Sequence, residues 1–319
     1  MHNAVVDTRL AVRRLLPHLD GDTLAVAVSG GADSLALAAA ARHVAHRAGR
    51  TVHGLIVEHG LQPGSAEVAA RAAGQLRELG LDQVLVLPVT VAGPGGPEAA
   101  ARRARYAALR GAVPGAPVLL GHTRDDQAET VLLGLGRGSG PRSIAGMRPL
   151  DPPWVRPFLD LPRTTTMAAC AALGLTPWQD PHNADPKFTR VRLRAEVLPL
   201  LEDVLRGGVA GALARTAAQL REDADALDTL AAELRGRAGA ELAAAELDAA
   251  VLAPAPAALR RRVLRRWLLD AGATELTDAH LRAVDALIGE WRGQGAVWLP
   301  GGLEAGRAHG RLRVNRGAG

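Results

Sequence analysis

Six residues near the start of the chain, Ser29-Gly30-Gly31-Ala32-Asp33-Ser34, combine the backbone freedom and side chains that an anion site needs. Two glycines permit a sharp turn and let backbone N–H groups approach a bound anion. A helix opening here would add partial positive charge at its N-terminus. Ser29 and Ser34 offer hydroxyl donors, and Asp33 can hold a divalent cation beside phosphates. An ordinary glycine turn with a Ser or Asp helix cap would use the same residues. A second set follows at Gly121-His122-Thr123-Arg124-Asp125-Asp126-Gln127-Ala128-Glu129-Thr130. At helical spacing Asp125 and Glu129 share one face, as do His122, Asp126 and Glu129. Carboxylates at the carboxyl end of a strand suit Mg²⁺ or an ammonium group, although acids are also favoured at any helix start. Arg137-Gly138-Ser139-Gly140 is a further anion-friendly turn, or a flexible connector.

These residues need a frame. Apolar runs at Leu24–Val28, Val52–Val57, Val84–Val89 and Val118–Gly121 predict short buried strands. Between them, Ser34–Ala48, Ser65–Gly80 and Pro97–Gly111 predict helices, punctuated by Gly or Pro. Strand–helix alternation implies an α/β fold, a twisted parallel sheet with helices on both faces. Ligands in such sheets sit beyond the carboxyl ends of the strands, where both motifs fall. Residues 136–160 are rich in Gly and Pro and are expected to be loop. Beyond about residue 205 the pattern becomes helical, over Leu213–Leu234, Glu241–Leu252, Ala257–Ala271 and Asp278–Trp291, and the tail Ala296–Val314 predicts a small hairpin. The expectation is a catalytic domain over 1–205 and a smaller, mainly helical domain over 206–319.

Composition narrows the chemistry. With 319 residues, 48% hydrophobic and 22% charged, the chain can bury two cores and is not expected to be disordered. No run approaches the roughly 18 apolar residues of a membrane span. The N-terminus reads as an amphipathic helix and not a signal peptide, so a cytoplasmic protein is expected. Cys170 is the single cysteine, which excludes a disulfide framework, a multi-cysteine zinc site and a paired-cysteine sulfur relay. It is expected to be a packed small hydrophobe. Lys187 is the only lysine, so no lysine-bearing phosphate loop of the G-x-x-x-x-G-K type exists. Phosphate chemistry must rest on amides, arginine and metal. Net charge is +5, and residues 137–194 carry nine basic against four acidic side chains, a balance suited to polyanions.

The string SGGADS resembles the SGGxDS pyrophosphate loop of the N-type ATP pyrophosphatases, with their adenine nucleotide α-hydrolase-like fold. GHTRDDQAETVLLGLGRGSG with Ile144-Ala145-Gly146-Met147 resembles, more narrowly, the tRNA(Ile)-lysidine synthetase family. Val57-Glu58-His59-Gly60-Leu61, Glu98 to Tyr106, and Trp178-Gln179-Asp180-Pro181-His182-Asn183 with Phe188 and Arg190 to Pro199 are similar to further segments of that family, in its order. Glu58, Gln62, Ser143, His182 and Val191 depart from its pattern.

The resemblance implies a ligase. ATP and Mg²⁺ would be bound, the cytosine O2 at the first anticodon position of the CAU-anticodon isoleucine tRNA would be adenylated, and the ε-amine of free L-lysine would displace AMP. ATP contacts would come from Ser29, Gly30, Gly31, Ala32, Asp33, Ser34, His59, Arg102, Gly121 and His122. Asp33 and Asp126 would hold the metal, and Asp33, Asp126, Glu129 and Arg194 would serve catalysis, with Asp126 and Glu129 toward the lysine substrate. Arg102, Arg105 and Arg194 are candidates for phosphate or tRNA contact, against a solvated helix face. A homodimer is compatible with the sequence.

Arg260, Arg261, Arg262, Arg265 and Arg266 lie on one predicted helix beside Trp267 and suit phosphate tracking, with a solvated face as the alternative. Trp291 and Trp298 are expected in the core. A thiolation-type relative would need cysteines that this chain lacks, and a non-catalytic binding module would have no physical reason to keep the metal-binding acids.

Overall fold

The computed structural model describes residues 3–60, 64–92, 96–138, 140–181, 185–239 and 246–316. Leu61, Gln62, Ser139, His182, Asn183 and the first residues of the helix expected over Glu241–Leu252 lie outside the described residues, as does the Glu98 side chain. The chain forms two compact units, Met1–Gln219 and Leu220–Gly319.

The first unit opens with helix α1 (Ala4–Leu15), whose first amides are taken up by the Asn3 side chain. Strand β1 (Thr23–Ala27), helix α2 (Ala32–Arg47), strand β2 (Thr51–Glu58), helix α3 (Ser65–Glu78), strand β3 (Gln83–Pro88), helix α4 (Gly96–Ala112) and strand β4 (Val118–Leu119) then alternate as expected. Next come helices α5 (Arg124–Gly136) and α6 (Pro141–Ile144), strands β5 (Leu150–Asp151) and β6 (Trp154–Val155), and helices α7 (Arg163–Ala172), α8 (Thr189–Arg192) and α9 (Leu198–Val204); α10 (Val209–Gly239) begins in this unit and runs on into the second, whose core takes Ala231, Leu234 and Ala238 from it. The sheet order is β3-β2-β1-β4-β6-β5, parallel except for β5 against β6.

Alternation along β1 divides the core. Leu24, Val26 and Val28 pack with α1, α2, α3 and α7 on one face. Ala25 packs with Leu55, Leu109, Val118, Leu120 and Trp154 on the other, beneath α4. The helices therefore cover both faces of the sheet.

Residues 136–160 are not all loop: α6 forms there, and β6 adds to the main sheet beside β4. Trp154 and Val155 are buried, and Trp154 meets the Tyr106 ring edge-on at 4.6 Å. A two-residue strand among prolines shows no periodicity, so nothing in the sequence marked it.

In the second unit, strand β7 (Glu246–Asp248), helices α11 (Ala249–Leu252), α12 (Ala257–Asp270) and α13 (Asp278–Gly289), and strands β8 (Val297–Leu299), β9 (Leu303–Ala308) and β10 (Arg311–Arg316) surround a separate core built on Trp267, Leu264 and Leu287. The expected tail hairpin is the β9–β10 centre of a four-stranded antiparallel sheet, β7-β10-β9-β8. Glu246–Asp248 is strand where helix was expected. Trp291 and Trp298 are 37% and 63% exposed and not core. Trp298 faces outward because Val297 and Leu299, its neighbours on β8, turn inward. No helix among the described residues is long and apolar enough to cross a membrane.

Candidate active site

Strands β2 and β3 lie on one side of β1, and β4 returns to its other side. The order reverses between β1 and β4, and there the loops leaving both strands part to open a crevice. The first loop is Val28–Gly31, leading into α2; the second is Leu120–Thr123, leading into α5. Gly121 brings them together: a Cβ there would lie 3.0 Å from the Asp33 backbone carbonyl. A side chain there would push the β4 loop and the start of α2 apart by a few tenths of an ångström.

The β1 loop turns at Gly30, whose φ of 85° lies in the left-handed region. The Ser34 hydroxyl closes the loop, accepting from the Ser29 amide at 3.2 Å and donating to the Gly31 carbonyl at 2.9 Å. Helix α2 has no side-chain cap, so its first-turn amides remain available to an anion. Trp178 N donates to the Gly30 carbonyl at 2.9 Å, which lays the 177–180 segment against the loop.

Acids and arginines meet next to it. Thr123 and Asp126 form a capping box at the start of α5, with Asp126 Oδ2 accepting from Thr123 N at 2.8 Å and Oγ1 at 2.9 Å. Arg163, at the start of α7, reaches Asp33 Oδ2 through Nε at 3.3 Å and Asp126 Oδ1 through Nη2 at 2.7 Å. Its own amide donates to Asp125 Oδ2 at 2.8 Å. The Thr166 hydroxyl donates to Asp33 Oδ1. Glu129 is 0% exposed, and Arg194 Nε holds its Oε1 at 2.8 Å.

Charge and burial set the protonation of these groups. Burial raises the Asp33 carboxyl above its ordinary value, a rise that Thr166 and Arg163 oppose without cancelling. Burial pushes Asp126 the same way, but Arg163 and the Thr123 donors outweigh it and hold Asp126 below the usual carboxylate range. Burial lowers the His122 imidazole to about 4, so it is neutral at physiological pH. His59 is lowered by burial and by the Arg105 charge. The Cys170 thiol, buried and donating to the Ala32 carbonyl, is pushed up to about 11.

Together these elements line a cavity of about 1020 Å³, at the upper end of the ~300–1,000 Å³ typical of small-molecule sites. Ser29, Gly31, Ala32, Asp33, Ser34, His59, Gly121, His122, Asp126 and Arg194 line it, as do Arg105, Arg163 and Trp178. Gly30 shapes the loop from behind. Glu129 lies buried beneath Arg194. Arg102 is exposed and stacks over Tyr106, 4.8 Å from the ring centre, away from the cavity lining. The Nδ1 atoms of His59 and His122, two residues of the cavity lining, are buried without a hydrogen-bond partner, while Glu129 Oε2 lies 3.6 Å from Arg190 Nη1.

Sequence reasoning missed Arg163 and Thr166. Arg163 counted only toward local charge, although an arginine following Pro162 at a helix start, with a hydroxyl three residues on, was a usable signal.

No cluster of three or more His, Cys, Asp or Glu side chains among the described residues makes a complete metal cage. Asp33 and Asp126 nevertheless share one guanidinium, so the pair already accommodates a cation. Two carboxylates completed by phosphate oxygens form the donor set that Mg²⁺ takes beside a nucleotide.

The arginines of α12 are engaged differently. Arg260 pairs with Asp285 at 2.7 Å, Arg262 with Asp228 at 2.6 Å and Arg266 with Asp270 at 3.1 Å. The first two tie α12 to α13 and α10.

A family model described as a PP-loop domain matches residues 6–201, and one described as the TilS substrate binding domain matches residues 247–313. The chain is 60% identical over 318 residues to the tRNA(Ile)-lysidine synthase of Nocardia farcinica, covering 97% of this chain and 98% of that one. It is 57% identical over 322 residues to the tRNA(Ile)-lysidine synthase of Mycobacterium tuberculosis, covering 98% of both. Among solved structures, the U34-tRNA thiolase NcsA from Methanococcus maripaludis is similar with a TM-score of 0.57 at 18% identity, covering 69% of this chain and 80% of that one. That likeness concerns the fold.

Proposed function

Since this chain belongs to the tRNA(Ile)-lysidine synthase family, we propose that it ligates free L-lysine to C2 of the wobble cytidine of the CAU-anticodon isoleucine tRNA, using ATP, in the cytoplasm. The observation that carries this reading is the meeting of the β1 glycine loop and the acids of α5 in one cavity.

In the first step, the cytosine O2 attacks the α-phosphorus, the O–Pα bond forms, and the bond to the β-phosphate breaks to release pyrophosphate. The β1 loop amides bind the departing phosphates, and Arg105 and Arg194 face the developing charge. Asp33 and Asp126 are the residues to hold Mg²⁺, which when bound neutralises phosphate charge. In the second step, the lysine ε-amine attacks C2, the C2–O2 bond breaks, and AMP leaves with the oxygen. We assign to Asp126 and Glu129 the holding or deprotonation of the lysine ammonium. We assign tRNA recognition to the second unit. A sulfur-transfer reading fails on chemistry: Cys170 is the only cysteine, is buried, and is protonated at neutral pH.

The test is radiolabelled lysine with ATP and a transcript of the isoleucine tRNA. Label in the tRNA with matching AMP and pyrophosphate is expected. Folded protein that gives none of the three, with tRNA known to be competent, overturns the reading.

A further inference from the structure

Arg163 makes contacts that a structural ion pair does not need. Each of the two carboxylates it bridges has one oxygen fixed by another group. Asp33 Oδ1 is held by the Thr166 hydroxyl and Asp126 Oδ2 by the Thr123 amide and hydroxyl. Arg163 takes the remaining oxygen of each, Asp33 Oδ2 and Asp126 Oδ1. Its backbone is pinned separately, through its amide on Asp125. The side chain can therefore leave without releasing α7 and without disorienting either acid. Arg194, 3.5 Å from Asp126 Oδ1, would remain close to one of them. Arg163 thus occupies the remaining oxygens of the two acids proposed to hold the metal.

We propose that Arg163 is an internal counter-cation that keeps the Asp33–Asp126 pair closed and is displaced into the cavity by the divalent metal. The inference rests on the reading that these two acids hold Mg²⁺. It adds that the metal and the guanidinium compete, and that free enzyme binds metal weakly until phosphates receive the displaced side chain. Arg163 lines the same cavity as the β1 loop, so its new partners are at hand. Arg163 acts here as a positioning residue.

The test is Mn²⁺ binding to the full chain without nucleotide, followed by electron paramagnetic resonance. Removing one positive charge at contact distance in Arg163→Met is expected to tighten Mn²⁺ at least ~10-fold. Arg163→Lys, which keeps the charge, is expected to stay near the parent affinity, and Asp33→Asn and Asp126→Asn to lose the site. Unchanged or weaker affinity in Arg163→Met, with binding still dependent on both acids, overturns the counter-cation and leaves the metal reading intact. Absence of Mn²⁺ binding in every form, with and without ATP, overturns both. A measurement on the unaltered protein covers failure of the variant to fold. Phenylglyoxal should modify Arg163 faster when Mn²⁺ alone is added, as read by peptide mass, and an unchanged or slower rate overturns the inference.

Discussion

The arginines around the cavity and those on α12 are the same residue type in similar density, yet they do different things. Arg163 and Arg194 end on acids at the cavity, Asp33 and Asp126 in its lining and Glu129 beneath Arg194, so their pairing can be exchanged for a ligand's charge. Arg260 and Arg262 end on Asp285 and Asp228, acids of neighbouring helices, and hold α12 in place. An arginine's capacity for phosphate is set by what holds it in the free protein. A basic run on a helix says nothing about that until its partners are known.

The largest effect expected from this contrast is in the cavity. Asp33→Ala should lower tRNA-dependent pyrophosphate release by ~10³-fold or more while the thermal transition is retained, since a proposed ligand of the cation that neutralises the phosphates is lost. Near-normal release by a folded variant would remove Asp33 from the mechanism. Glu129→Gln should reduce lysine-dependent AMP release by ~10²-fold and pyrophosphate release much less, because the group proposed to receive the ammonium proton is gone while the phosphate loop remains. Equal loss in both steps would instead make Glu129 a support for the whole site.

On α12 the expectation splits. Arg260→Ala strands a largely buried Asp285 and should cost about 1–3 kcal/mol in urea unfolding, with the salt dependence of tRNA binding unaltered. Arg266, whose side chain is 72% exposed, should show the reverse. Arg266→Gln should leave stability within ~1 kcal/mol and lower the slope of log affinity against log salt by about 1. If both variants lowered the slope equally, the contrast between held and available arginines would fail.

The smallest effect concerns Cys170. Its thiol, pushed up to about 11, is fully protonated at pH 8, so iodoacetamide should modify the native chain far more slowly than the urea-unfolded chain. Equal rates would contradict its burial.

The parts of the site that were legible in the sequence are local. SGGADS and GHTRDDQAET each carry their geometry within a few residues of a strand end, so spacing placed Asp33 and Asp126 at the carboxyl ends of two strands, and the sheet order then made those strands neighbours. Arg163 was not legible in that way. It reaches Asp33 across more than a hundred residues of chain, through the packing of α7 on α2, and no local pattern encodes that contact. Strand β6 escaped because two residues cannot display a period, and β7 because Glu246-Leu247-Asp248 looks like its Ala-rich, helix-favouring surroundings. Trp298 was misjudged because large apolar side chains usually pack inward, whereas alternation on a short edge strand decided its direction.

The central claim is that phosphates and metal meet where the β1 loop faces the start of α5. A crystal structure of the chain with a non-hydrolysable ATP analogue and Mn²⁺ tests it most directly. The account predicts the triphosphate against the amides of residues 29–34 and an anomalous Mn²⁺ peak between Asp33 and Asp126. A triphosphate bound elsewhere, with those two acids still joined by Arg163, would contradict it.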